Sequence, residues 1–154
     1  MHATLTHHRR AAPSTATILG FISAGVPLDA TPFERLGRLT VPRAYRRPGM
    51  FAFAVTGDSM TAPGGAGLPH GAYVLVDTHD LITQTGHVYA FCLPGGEYVA
   101  KRLRLHRGRP AMYSDNPTYP PAPLTPDVRR VGRIYATTLD GDTYQPVGYR
   151  PWND

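Results

Sequence analysis

The chain is predicted to be mainly β, on three observations. It carries 16 Pro and 16 Gly among 154 residues, and punctuation at that density leaves little room for long helices. Its apolar residues fall in short runs bounded by turn formers, as in Phe51–Val55, Ala72–Asp77 and His87–Leu93, the length of a strand rather than of a helix. Its nine Tyr and the period-two alternation from Glu97 to Leu105 add side chains that suit a pleated surface.

Length predicts one domain, or one domain and an arm, with a core of useful size. Cys92 is the only cysteine, so no intramolecular disulfide forms, zinc-ligand spacing is absent, and a reducing, cytoplasmic setting is expected. Neither a metal nor any other cofactor is expected. No apolar run approaches the roughly 20 residues that span a bilayer, and the His- and Arg-rich start lacks the apolar segment of a secretory signal. The net charge of +5 lies entirely in residues 1–47, which hold seven Arg against Asp29 and Glu34. A basic front end can meet nucleic acid or an acidic partner, or can be a solvated arm. No groove-reading helix pattern points to direct DNA binding.

Taken in order, residues 1–16 have no apolar periodicity and are expected to be unstructured. Thr17 to Leu28 is an apolar segment broken by Ala24-Gly25 and Pro27. It can pair as a strand and then bend, leaving the Ala24 carbonyl little shielded, or it is a plain turn between two short strands. Pro32–Leu36 is long enough for one helical turn, and an Arg-rich link follows. The strand Phe51–Val55 runs into Gly57, which places Ser59 at a strand-to-loop turn with its hydroxyl exposed. Thr61–Gly71 is a glycine-rich loop without the residue order of a phosphate-binding motif. Strands are expected at Ala72–Asp77 and His87–Leu93, and Pro94-Gly95-Gly96 turns the chain into a third.

In that third strand, alternation puts Val99, Lys101, Leu103 and Leu105 on one face and Tyr98, Ala100, Arg102 and Arg104 on the other. Lys101 thus points with the apolar side, where burial would bring its amine towards neutrality, unless the side chain snorkels past the sheet edge. Lys101 is also the only lysine beside 15 Arg, and arginine does not deprotonate in proteins. Only this cation could serve Ser59 as a neutral-amine base. Pro110–Ser114 reads as a strand, Asp115–Pro121 as an extended, proline-stiffened connection, and Val128–Leu139 as a final long strand before a tail. No internal repeat or heptad is present.

Five segments resemble, in order, the self-cleaving Ser-Lys peptidase domain shared by LexA repressors, UmuD mutagenesis proteins and phage repressors. They are Gly57-Asp58-Ser59-Met60, Gly71 to Asp77, Val99-Ala100-Lys101-Arg102-Leu103, Ser114 to Pro120, and Val131-Gly132-Arg133-Ile134. The resemblance covers roughly residues 17 to 140. It implies a compact fold of curved antiparallel sheets with a flexible N-terminal arm: residues 1–28 as arm and cleavage segment, 29–142 as peptidase domain, 143–154 as C-terminal tail. It implies Ser59 as nucleophile, Lys101 as general base, Ala24-Gly25 as the bond cut, and the backbone N–H groups of Ser59 and Met60 as oxyanion hole.

Because 24 residues precede Gly25, too few for a helix-turn-helix domain, the layout is similar to the short UmuD type. That likeness implies a homodimer with the arm as substrate, stimulation by a RecA–single-stranded DNA filament, and service to a translesion DNA polymerase. The chain departs from the family pattern in a longer loop between Ser59 and Gly71, in Ala72 where an acidic residue is usual, and in a wide serine-to-lysine spacing of 42 positions. None of these removes a catalytic atom. Two further readings are a non-catalytic interaction module of the same fold, binding a polymerase or repressor, and a signal-peptidase-like enzyme, which the missing membrane anchor disfavours.

Overall fold

The apolar runs become strands that share one continuous sheet. The computed structural model describes residues 12–24, 37–61 and 67–151. Its strands are β1 (Thr15–Ser23), β2 (Arg38–Thr40), β3 (Met50–Thr56), β4 (Tyr73–Asp77), β5 (Val88–Cys92), β6 (Tyr98–His106), β7 (Arg109–Tyr113), β8 (Ala122–Pro123), β9 (Arg129–Thr138) and β10 (Tyr144–Pro146). A single 3-10 turn at Arg43–Tyr45 is the only helical element among the described residues. The mainly β expectation holds. The possible helical turn at Pro32–Leu36 and the residue Gly25 lie outside the described residues.

The sheet order is β2-β1-β3-β4-β9-β5-β6-β7-β8, with β10 added on β9. A further bridge, Ser23 to Val99, joins β1 to β6. The path β1-β3-β4-β9-β5-β6 therefore returns to β1, and the sheet curls into a ring closed by the last residue of the first strand. This closure leaves fewer open edges. It also fixes the next residue, Ala24.

The sheet is mixed rather than purely antiparallel. β1 runs parallel to β3, with Ile22 beside Val55 and Ser23 beside Thr56, and parallel to β6. The other strand pairs are antiparallel. The reason lies in the side chains of β1: Ala16, Ile18 and Ile22 are buried, and Ala24 just beyond it is too. Filling the gap between β3 and β6 is how that apolar stripe leaves water. A register shift between Ile18 and Phe21 falls at Gly20, whose φ of 154° side chains rarely adopt.

Other local expectations need correction. Residues 1–16 were expected to be unstructured, but Thr15 and Ala16 already pair with Thr40 and Leu39. Ala16 is too small to signal the buried position that it takes beside Leu39 and Val41. Val128–Leu139 is not the last strand, because β10 pairs with β9 in what reads as tail; Tyr144 there is buried against Tyr45, ring centroids 5.8 Å apart. Asp115–Pro121 is not extended either. Asn116 Oδ1 accepts the Thr118 N–H at 3.1 Å and the Asn116 carbonyl accepts the Tyr119 N–H at 3.2 Å, so asparagine's local bonding makes a turn despite the prolines.

Gly132 shows how tightly β9 lies on β4. A Cβ there would fall 2.2 Å from the Asp77 carbonyl oxygen, a backbone atom that cannot swing away. Gly132→Ala is expected to cost about 1–3 kcal/mol by overpacking. Urea denaturation would show it as a lower midpoint at unchanged slope.

Candidate active site

The turn after β3 is built for a projecting serine. Gly57 takes φ 85°, a conformation that glycine adopts without strain, and Thr61 N–H closes a turn on the Asp58 carbonyl at 3.0 Å. Gly57 N–H donates to His70 Nδ1 at 3.1 Å. From the opposite side Asn116 grips the same turn: its N–H donates to the Ser59 carbonyl at 2.8 Å, and its Nδ2 to the Asp58 carbonyl at 3.3 Å. The Tyr119 hydroxyl donates to the Asp58 carboxylate. Ser59 sits at the turn as expected, but its exposure is 0%. Ala24, Asn116 and Lys101 cover it.

Lys101 reaches Ser59 from β6. Its Nζ lies 3.2 Å from Ser59 Oγ and 2.7 Å from Ser114 Oγ. Burial lowers the amine from an ordinary 10.5 to about 8, since removing water disfavours the ammonium. The snorkelling alternative fails, because the side chain turns inward. The strand's parity holds for Val99, Lys101 and Leu103, whose apolar members pack with Tyr89, Phe91 and Met112. It misleads in two places: Leu105, near the end of the strand, is 56% exposed, and Arg102, on the opposite face in mid-strand, is 5% exposed.

Arg102 is buried with all three guanidinium nitrogens hydrogen-bonded. Its Nε and NH2 donate to the two Asp115 carboxylate oxygens at 2.8 and 2.9 Å, and NH1 donates to the carbonyls of Gly86 and Gly148 at 2.6 and 3.0 Å. Neighbouring residues of β6 thus hold neighbouring residues past β7. Lys101 meets Ser114 on one side, and Arg102 meets Asp115 on the other.

The third component is the chain itself. Ala24 N–H donates to the Thr56 carbonyl at 2.6 Å, extending the pairing of β1 with β3 by one residue, and the Ala24 carbonyl accepts the Ser59 N–H. Of the two N–H groups expected around this oxygen, Ser59 makes the bond and Met60 does not. Met60 is fully buried beneath the turn, with its carbonyl accepting the Leu68 N–H at 2.8 Å. Ser59, Lys101 and Ala24 therefore meet at one point, while Gly25 is outside the described residues. Ser114, Asn116 and the Arg102–Asp115 pair were not assigned roles from sequence. The one available signal was their place in the resembling segments. Among the described residues no cluster of three or more His, Cys, Asp or Glu could hold a metal ion, and no helix is long and apolar enough to cross a membrane.

A mainly β domain that brings a serine hydroxyl, a single lysine amine and a chain carbonyl to one point has the make-up of a peptidase-like fold. The chain belongs to the Peptidase S24-like family, whose model matches residues 17–141. It is 35% identical over 109 residues to the LexA repressor of Verrucomicrobium spinosum, covering 67% of this chain and 50% of that protein. It is 34% identical over 90 residues to repressor protein C2 of Salmonella phage P22, covering 58% of this chain and 41% of that protein. The chain spans about half the length, or less, of these curated relatives.

Proposed function

We propose that the chain is a serine peptidase that cuts its own Ala24–Gly25 bond, with Ser59 as nucleophile and Lys101 as general base. One observation carries the reading: the Ala24 carbonyl accepts the Ser59 N–H while Lys101 Nζ stands 3.2 Å from Ser59 Oγ. Neutral Lys101 takes the Ser59 proton as Oγ attacks the Ala24 carbonyl carbon, and the developing oxyanion stays on the Ser59 N–H. The lysine ammonium then protonates the leaving Gly25 amine. Water, deprotonated by the same lysine, releases Ala24 from the ester. With the substrate on the same chain, no encounter step is needed, and regulation reduces to whether the arm is seated.

Kinship with a LexA repressor and a phage repressor supports placing this cleavage in the DNA-damage (SOS) response. The UmuD resemblance extends the reading to stimulation by a RecA–single-stranded DNA filament, a homodimeric trimmed product and a translesion polymerase as client, in the cytoplasm. The purified chain should yield a product of residues 25–154 by intact mass, absent in Ser59→Ala. A mass unchanged even with the RecA filament would leave the non-catalytic interaction module.

The seat of Ala24 adds a specificity prediction. Ala24 has no exposed surface and belongs to the buried apolar cluster that also holds Ile22, Val55 and Met60, so a larger side chain must displace packed neighbours. Ala24→Leu should slow cleavage by about 100-fold or more, as a small displacement of reacting groups costs. Ala24→Gly, which fits, should remain cleavable. A cleavage time course by gel densitometry separates the two.

A further inference from the structure

We propose that Ser114 is a positioning residue for Lys101, holding the amine so that its lone pair faces Ser59; this rests on the Ser-Lys reading above. A neutral lysine amine has two N–H bonds and one lone pair in tetrahedral directions, carried on a flexible four-carbon stem. With Ser59 alone as neighbour, the amine could rotate and present an N–H to the hydroxyl that it must deprotonate. Ser114 Oγ, at 2.7 Å, is closer to Nζ than Ser59 Oγ at 3.2 Å. An N–H donated to Ser114 leaves the lone pair for the Ser59 hydroxyl.

Ser114 can do this because its own place is fixed on both sides. Before it, Tyr113 is in register with Arg102 in the β6–β7 ladder. After it, Asp115 is held by the buried Arg102 fork, and Asn116 N–H is bonded to the Ser59 carbonyl. The serine is thus tied to the strand that carries the base and to the turn that carries the nucleophile. The ionisable groups around Nζ are few. Tyr119 from the turn has its ring centroid 5.9 Å away and its hydroxyl on Asp58; Tyr89 from β5 is the cross-strand partner of Lys101, with its hydroxyl donating to the Ile82 carbonyl; Asp115 is engaged by Arg102.

Because Lys101 is the only lysine, selective 13C-lysine labelling gives one side-chain resonance whose pH titration reports this amine alone. In a Ser59→Ala background, which stays uncut, Ser114→Ala removes an acceptor that favours the ammonium. It should lower the titration midpoint by about half a pH unit or more, while Ser114→Thr, which keeps the hydroxyl, leaves it in place. With Ser59 intact, Ser114→Ala should slow cleavage at the high-pH plateau by about 10–100-fold through misorientation of the base, and Ser114→Thr should recover most of the rate. A midpoint that does not move in Ser114→Ala, or a threonine variant as impaired as the alanine one, would overturn the proposal. If the parent chain never cleaves, the peptidase reading fails, and the lysine titration still decides whether Ser114 holds the amine.

Discussion

Self-cleavage of the purified chain is expected to rise about tenfold per pH unit up to about pH 8 and to level off above it, tracking the neutral fraction of Lys101. The sign follows from the role: the base acts without its proton, so each unit below the lysine's pKa removes nine-tenths of the active form. At pH 7 a lysine with a pKa of about 8 is neutral in about one molecule in ten, whereas at an ordinary 10.5 it would be neutral in roughly one in 3,000. Burial between β6 and the Ser59 turn thus supplies a rate factor of roughly 300 before any orientation effect.

Lys101→Met keeps the stem's bulk and removes the base, and it should lower the plateau by about 10²–10⁴-fold. Initial rates of product formation between pH 6 and 10.5, read by intact mass, would test both parts. A rate that is flat over that range, or that still climbs at pH 10, would show that Lys101 is not the titrating base at the depressed value.

The arrangement behind that profile was partly legible in the sequence. Ser59 and Lys101 stood out because their chemistry is singular: one lysine in the chain, and a serine at the end of an apolar run. The Ala24-Gly25 break was visible too, but only the resemblance turned it from a turn into a substrate. Burial was harder to read. Sequence reads Ser59 as exposed because the strand before it ends at Gly57 and a strand-to-loop turn normally faces water, whereas the groups that meet it come from Ala24, Lys101 and Asn116, distant positions that local periodicity cannot bring together. The burial of Arg102, on the face opposite Lys101, is hidden for the same reason. Alternation tells which residues share a side of a strand, but not whether Asp115 and the carbonyls of Gly86 and Gly148 will meet the other side. The parallel entry of β1 was invisible because hydrophobic pattern sets which face is buried, not which edge a strand joins or its direction.

Asp115→Ala is expected to be the most destabilising single substitution near the site, costing about 3–5 kcal/mol. The carboxylate and guanidinium are 5% and 6% exposed, and truncation would leave Arg102 Nε and NH2 largely buried without their carboxylate acceptor. The two carbonyl bonds of NH1, to Gly86 and Gly148, would remain, but they carry no charge to offset the buried cation. For a chain of this size such a loss corresponds to a fall in Tm of roughly 6–20 °C. Replacing both partners, Arg102→Met with Asp115→Leu, removes the charge together with its counter-charge and should recover most of the stability, since an apolar pair of similar volume often matches a buried ion pair.

Cleavage should not recover with it. Ser114 and Asn116 flank Asp115 in the chain, and they contact Lys101 and the Ser59 turn respectively. Without the fork on Arg102, both are free to drift from a site where an ångström matters. Thermal melts alongside cleavage rates for the single and double variants would separate the two consequences. A single variant that melts within about 2 °C of the parent would mean that the ion pair contributes under about 1 kcal/mol. A double variant that regained both stability and rate would mean that Asp115 supports the fold alone.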